Sequence, residues 1–170
     1  MSNFSRILVP LVVLASGCAS RATVAVPGAR ADFSDANGQP AGSATLYQQS
    51  DGVLIRTDLR GLPAGEHGFH IHAVGQCAPP FQTAGGHFNP ANRKHGSLNP
   101  EGAHAGDLPN LAVATDGSAR VEMLATGVTL QSLFDVDGSA LVVHATKDDY
   151  KTDPAGNAGA RIACAVIRHP

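Results

Sequence analysis

From Ala29 onward, apolar and polar residues alternate in short runs, the period-two signature of strands that bury one face. The runs predict strands at Ala29–Ser34, Ser43–Gln48, Val53–Leu59, His67–Ala73, Leu111–Ala114, Ala119–Leu124, Ser139–Ala145 and Arg161–Arg168. Asn37-Gly38, Asp51-Gly52 and Asp116-Gly117 fall between runs, and such dipeptides tolerate the positive φ of tight hairpin turns. No helical period longer than two turns interrupts the pattern. Eight strands joined in this way predict an all-β fold, an antiparallel sandwich or flattened barrel.

Two segments break the rhythm, Val74–Asn110 and Thr146–Ala160. Both are too long and too rich in Gly and Pro for hairpin turns, and each follows a strand that ends in histidine. Long loops on a rigid scaffold are where sites are built. In the strand before the first loop, side chains two apart share a face. His70 and His72 therefore point one way, outward beneath the loops, while Phe69 and Ile71 fill the core. The loop itself carries His87, His95, His104 and Asp107 among Gly, Pro and Asn, the ligand set of a closed tetrahedral zinc site. A solvated histidine-rich loop is the plainer alternative. Against it stand His70-x-His72 and His144 at the end of Leu141-Val142-Val143, a second cluster that makes two linked metals possible.

The 170 residues, 43% hydrophobic and 15% charged, suit one globular domain with a sizeable core. Net charge is −2 with no run of Lys or Arg, so neither a nucleic-acid surface nor a polybasic membrane patch is indicated, and the partner is small. Residues 1–17, with Arg6 and an apolar run from Ile7 to Ala15, read as an export signal too short to span a membrane. Ser16-Gly17-Cys18 resembles a bacterial lipoprotein cleavage box. Lipidated Cys18 would tether a domain of residues 29–170 through residues 18–28, placing an exported protein in the periplasm or cell envelope with its only membrane contact at that anchor. Plain signal cleavage with loss of Cys18 is the alternative. If Cys18 carries lipid, Cys77 and Cys164 remain as a pair that an oxidising compartment would let form a disulfide; two buried thiols are the other reading.

Five segments resemble the copper/zinc superoxide dismutases: Gly68-Phe69-His70-Ile71-His72, Gly86-His87-Phe88-Asn89-Pro90, His104-Ala105-Gly106-Asp107, Leu141-Val142-Val143-His144 and the run Gly156–Cys164. The likeness spans about Ala29 to Ile167. It implies an eight-stranded antiparallel Greek-key sandwich or flattened barrel whose two long loops form the metal site. It implies copper held by His70, His72, His87 and His144, and zinc held by His87, His95, His104 and Asp107, with His87 common to both. Asp148 matches a carboxylate joining His70 to His95, and His67 a histidine with a structural role. Arg161 matches the residue that draws in the substrate, the superoxide anion, which copper would convert to dioxygen and hydrogen peroxide by alternate reduction and oxidation. His87 would take part by leaving copper and carrying a proton.

Two departures concern the approach to the site. The segment before Arg161 is short, with Lys147, Lys151 and Asp153 where acidic residues usually shape the field, and Ala155 replaces a channel threonine. A non-catalytic copper-binding or copper-buffering envelope protein is the rival reading, for which Arg161 has no use. A monomer and a homodimer are both compatible with the sequence.

Overall fold

The computed structural model describes residues 28–170. The export signal and Cys18 lie outside the described residues, as does the tether up to residue 27. Nine strands form among the described residues: β1 Ala29–Asp35, β2 Pro40–Gln48, β3 Gly52–Leu59, β4 Gly65–His67, β5 Phe69–His72, β6 Leu111–Val113, β7 Glu122–Thr126, β8 Ala140–His144 and β9 Arg161–Arg168. Seven of them make one curled antiparallel sheet in the order β5-β8-β9-β1-β2-β3-β7, and β4 pairs with β6. The all-β expectation holds, and every expected strand is present.

The ninth strand arises because the run His67–Ala73 divides at Gly68. His67 pairs with Leu111 in the small sheet, whereas Phe69 pairs with Val143 in the large one. Between them the Gly68 N–H donates to the Thr146 carbonyl and the Gly68 carbonyl accepts from the His144 N–H. A side chain there would press on Ala158 at 2.7 Å. The run Ala119–Leu124 also begins later than its alternation implies. Its register against β3 is kept by a bridge between Leu59 and Ala119, but the Val121 N–H donates to the Thr57 hydroxyl and interrupts the ladder. One helical turn, α1 at Leu130–Leu133, is capped by the Thr129 hydroxyl, which accepts from the Ser132 N–H.

Inward residues of the strands build one core around Phe33, Leu46, Ile55, Phe69, Ile71, Leu111, Leu141 and Ile167. Strand β8 is buried along its whole length, which explains its unbroken apolar sequence. Leu141 and Val143 face the main core, while Ala140 and Val142 join Phe81, Ala84 and Cys164 in a second cluster under the loop after β5. Cys77 and Cys164 form a disulfide that fastens this loop to β9. Closing a loop of 87 residues contributes on the order of 4 kcal/mol in the chain-entropy picture.

Candidate metal centre

The loop between β5 and β6 is stitched back along β5. Phe88 N–H donates to the Ile71 carbonyl, Ile71 N–H to the Gly106 carbonyl and Ala73 N–H to the Gly86 carbonyl. These bonds bring His87 opposite His72 and Asp107 opposite His70. Gly106 lies so close to the Ile71 carbonyl that no side chain fits between them. Phe88 and Leu108 anchor the segment by entering the main core, each burial contributing on the order of 1.5–3 kcal/mol.

As the alternation requires, Phe69 and Ile71 enter the core and His70 and His72 lie on the other face. The loops cover both rings completely, leaving each 0% exposed. Two groups of donor atoms result. His70, His72, His87 and His144 form one, and His87, His95, His104 and Asp107 the other. Within each, the donor atoms lie within 4.8 Å of one another.

In the first group the outward nitrogen of each strand histidine is engaged. His70 Nε2 donates to Asp148 Oδ2 at 2.8 Å, His72 Nδ1 to the Gly85 carbonyl at 3.0 Å and His144 Nδ1 to the Gly159 carbonyl at 3.3 Å. Bonds of this kind fix the tautomer, so the inward nitrogens present lone pairs. His72 Nε2 and His144 Nε2 are 3.4 Å apart, and His70 Nδ1 and His87 Nε2 are buried without any partner. Burial holds His70, His72, His87 and His144 below the ordinary histidine value, the last three at about 2, about 4 and about 3. Four uncharged rings converging on one point fit a cation and little else; imidazole donors suit copper, zinc or nickel.

The second group converges on one oxygen. Asp107 Oδ1 lies 2.8 Å from His87 Nδ1 and 3.1 Å from both His95 Nδ1 and His104 Nδ1, while His104 Nδ1 is 3.3 Å from His87 Nδ1. Hydrogen bonds cannot satisfy all four atoms together, because two of the nitrogens face each other. A tetrahedral ion with bonds of about 2.0–2.2 Å would hold its ligands about 3.3–3.6 Å apart, close to this spacing. Asp107 Oδ2 accepts from the backbone N–H groups of Gly96 and His104, which aims Oδ1 inward. Burial opposes the Asp107 charge, but bonds from His87, His95 and Gly96 hold its carboxyl well below the usual range. Burial also works against a proton on His95, yet its bonds to Asp107 and Asp148 raise it to about 9.

Asp148 is 2% exposed and joins the groups: Oδ2 accepts from His70 Nε2 and Oδ1 accepts from His95 Nε2 at 3.0 Å. Gly156 packs against this carboxylate with no room for a side chain. The Arg161 guanidinium donates to the Phe81 and Gly85 carbonyls at 2.7 Å each, on the loop that the disulfide fastens. Gly85 thus holds Arg161 and His72 through one oxygen. Arg161 shares the wall of an open cleft with His87, Pro154 and Ala155. Asp153 is not a free charge in the approach, because its Oδ1 accepts from the His95 N–H at 2.7 Å. The ring nitrogens of His67 lie 2.8 Å from the carbonyls of Pro63 and His144, a structural place.

Sequence reasoning missed Asn110, Tyr150 and Gly156 around Asp148. A Gly within the second long loop and an Asn just before β6 carry no chemical signature; only their contacts distinguish them.

The family model described as copper/zinc superoxide dismutase matches residues 40–167. A copper-zinc superoxide dismutase of Aquifex aeolicus is 52% identical over 147 residues, covering 82% of this chain and 86% of the relative. One from Caulobacter vibrioides is 44% identical, covering 78% and 80%. Among solved structures, a superoxide dismutase-like protein from Bacillus subtilis superposes with a TM-score of 0.80 at 40% identity, covering 83% of this chain and 99% of that one.

Proposed function

The chain belongs to the copper/zinc superoxide dismutase family, and on that premise we propose how its own residues divide the conversion of two superoxide anions and two protons into dioxygen and hydrogen peroxide. Copper would be held by His70 Nδ1, His72 Nε2, His87 Nε2 and His144 Nε2, and zinc by Nδ1 of His87, His95 and His104 with Asp107 Oδ1. The observation that carries this reading is the position of His87, whose two nitrogens enter different clusters, with Nε2 buried and unpartnered. Bound there, copper supplies one-electron exchange with successive superoxide anions, whereas zinc, lacking a second accessible valence, supplies only charge and a fixed bond.

The protein groups do the rest. His87 Nε2 would hold one of the two protons that hydrogen peroxide requires and yield it to the departing product, water supplying the other. Its Nδ1 stays fixed beside Asp107, so the ring keeps its place through the cycle. Arg161 presents its unused N–H groups to a small oxyanion at the cleft, and its charge cannot be lost by deprotonation. In a molecule of net charge −2, the attraction must be local.

Superoxide removal by the metal-loaded protein, compared with the same protein after copper extraction, tests the activity. Loss on extraction and recovery on reloading are expected; equal rates before and after would contradict it. A copper-buffering protein would bind the metal without turnover, and it would have no use for Arg161 braced at the cleft.

Export as a lipoprotein, with residues 1–17 removed and Cys18 lipidated, is part of the same proposal. The Cys77–Cys164 disulfide supports an oxidising compartment. Mass measurement of the mature N-terminus decides it: a chain starting at a diacylated Cys18 is expected, and a start beyond Cys18 would refute the anchor.

A further inference from the structure

Asp148 joins His70 of the first cluster to His95 of the second, yet it sits on the loop after β8. A carboxylate on a loop can fix two rings only if its own backbone is fixed. Asn110 supplies that constraint. It directly precedes β6, at the end of the zinc-ligand segment, and its amide grips the Asp148 backbone in both directions. The Asp148 N–H donates to Asn110 Oδ1 at 2.8 Å, and Asn110 Nδ2 donates to the Asp148 carbonyl at 2.9 Å. Tyr150 closes the ring: its hydroxyl accepts from the Asn110 N–H at 2.7 Å, and its own N–H donates to Asp148 Oδ1 at 2.6 Å. Tyr150 does this from a left-handed backbone conformation, φ 61°, which a tyrosine seldom adopts and which the surrounding bonds must maintain.

Resting on the two-metal reading above, we propose that Asn110 is a positioning residue for both metal sites, holding the Asp148 backbone to the barrel so that one carboxylate orients His70 and His95 together. The side chain is suited to this because its amide carries an acceptor oxygen and a donor nitrogen side by side, a pairing that neither Asp nor Leu reproduces. Tyr150 assists by fixing the Asn110 backbone and the Asp148 oxygen from the other side.

A double-mutant cycle tests this on the full chain, with zinc affinity measured by chelator competition and the Cu(II) electron paramagnetic resonance spectrum as a second readout. Asn110→Leu is expected to weaken zinc binding about tenfold or more, the size of an outer-shell change. In an Asp148→Ala background the same substitution should cost less than about twofold, because the group it positions is gone. Its Cu(II) spectrum should shift in the same direction as that of Asp148→Ala. Tyr150→Phe, which removes only the hydroxyl and preserves the packing, should give a smaller loss that also vanishes in the Asp148→Ala background. A zinc loss of equal size in both backgrounds would make Asn110 merely structural and overturn the proposal, as would unchanged zinc affinity and an unchanged copper spectrum. If the parent protein takes up no zinc, the two-metal reading fails and the proposal with it.

Discussion

The two histidine clusters share a ring but are built differently. The first draws His70, His72 and His144 from adjacent strands β5 and β8, where sheet register sets their spacing. The second draws its groups from residues 87–107, a stretch with no strand or helix, and a carboxylate does the work that register does in the first. Charge follows the architecture. Burial is the largest influence on His72, His87 and His144 and keeps them neutral, whereas His95 lies between two carboxylates that overcome burial and raise it. A strand-built site is preformed by the barrel; a loop-built site depends on Asp107 and Asp148.

The difference is most severely tested by removing its anchor. Asp107→Ala should abolish zinc retention, an effect larger than the 10- to 100-fold of an outer-shell change, while copper stays bound to the strand cluster. Elemental analysis checks this, and loss of both metals together would make the clusters inseparable. At the cleft, Arg161→Glu should lower the rate constant for superoxide about tenfold or more and flatten its dependence on ionic strength, because the steering field is removed; the metal content should not change. A rate constant that keeps its magnitude and salt dependence would remove Arg161 from the mechanism.

The smallest effect concerns pH. After chelation, the strand cluster should destabilise the fold in acid. His72, His87 and His144 titrate near 6.5 in the unfolded chain but at about 4 or below when folded, so the unfolded state binds more protons between those values. Their contribution is present above pH 6.5 and is lost as pH falls. His95 acts in the opposite sense: its proton stabilises the fold below pH 6.5, and that contribution disappears as pH rises through about 9. The urea midpoint of the demetallated protein should therefore fall as pH drops from 6.5 to 4, with a shallower decline as pH rises from 6.5 to about 9. A midpoint that rises on acidification would contradict the assignment.

Much of this is legible in the amino-acid sequence. Alternation placed Phe69 and Ile71 in the core and His70 and His72 on the other face, because the period of a strand is a property of its backbone. The two loops announced themselves by length and composition. The division at Gly68 was not readable, because the sequence has no marker for a strand that changes partners; it depends on Ala158 and Thr146, some eighty or ninety residues away. The supports of Asp148 were hidden for the same reason. Asn110 acts through a backbone pairing across 38 residues, and Gly156 through the side chain it lacks. Asp153 looked like a surface charge and is a hydrogen-bond acceptor for the His95 backbone. Local pattern specifies which way a side chain points on its own strand, and only the assembled fold specifies what meets it.

The sharing of His87 between unlike ions is tested most directly by replacing zinc with paramagnetic Co(II) in the copper-loaded, oxidised protein and recording the Cu(II) resonance. If one ring joins the two ions, magnetic exchange through it should suppress or strongly broaden the signal relative to the copper–zinc form. A Cu(II) signal of full intensity and unaltered width, with Co(II) confirmed at the second cluster, would show that the ring is not shared.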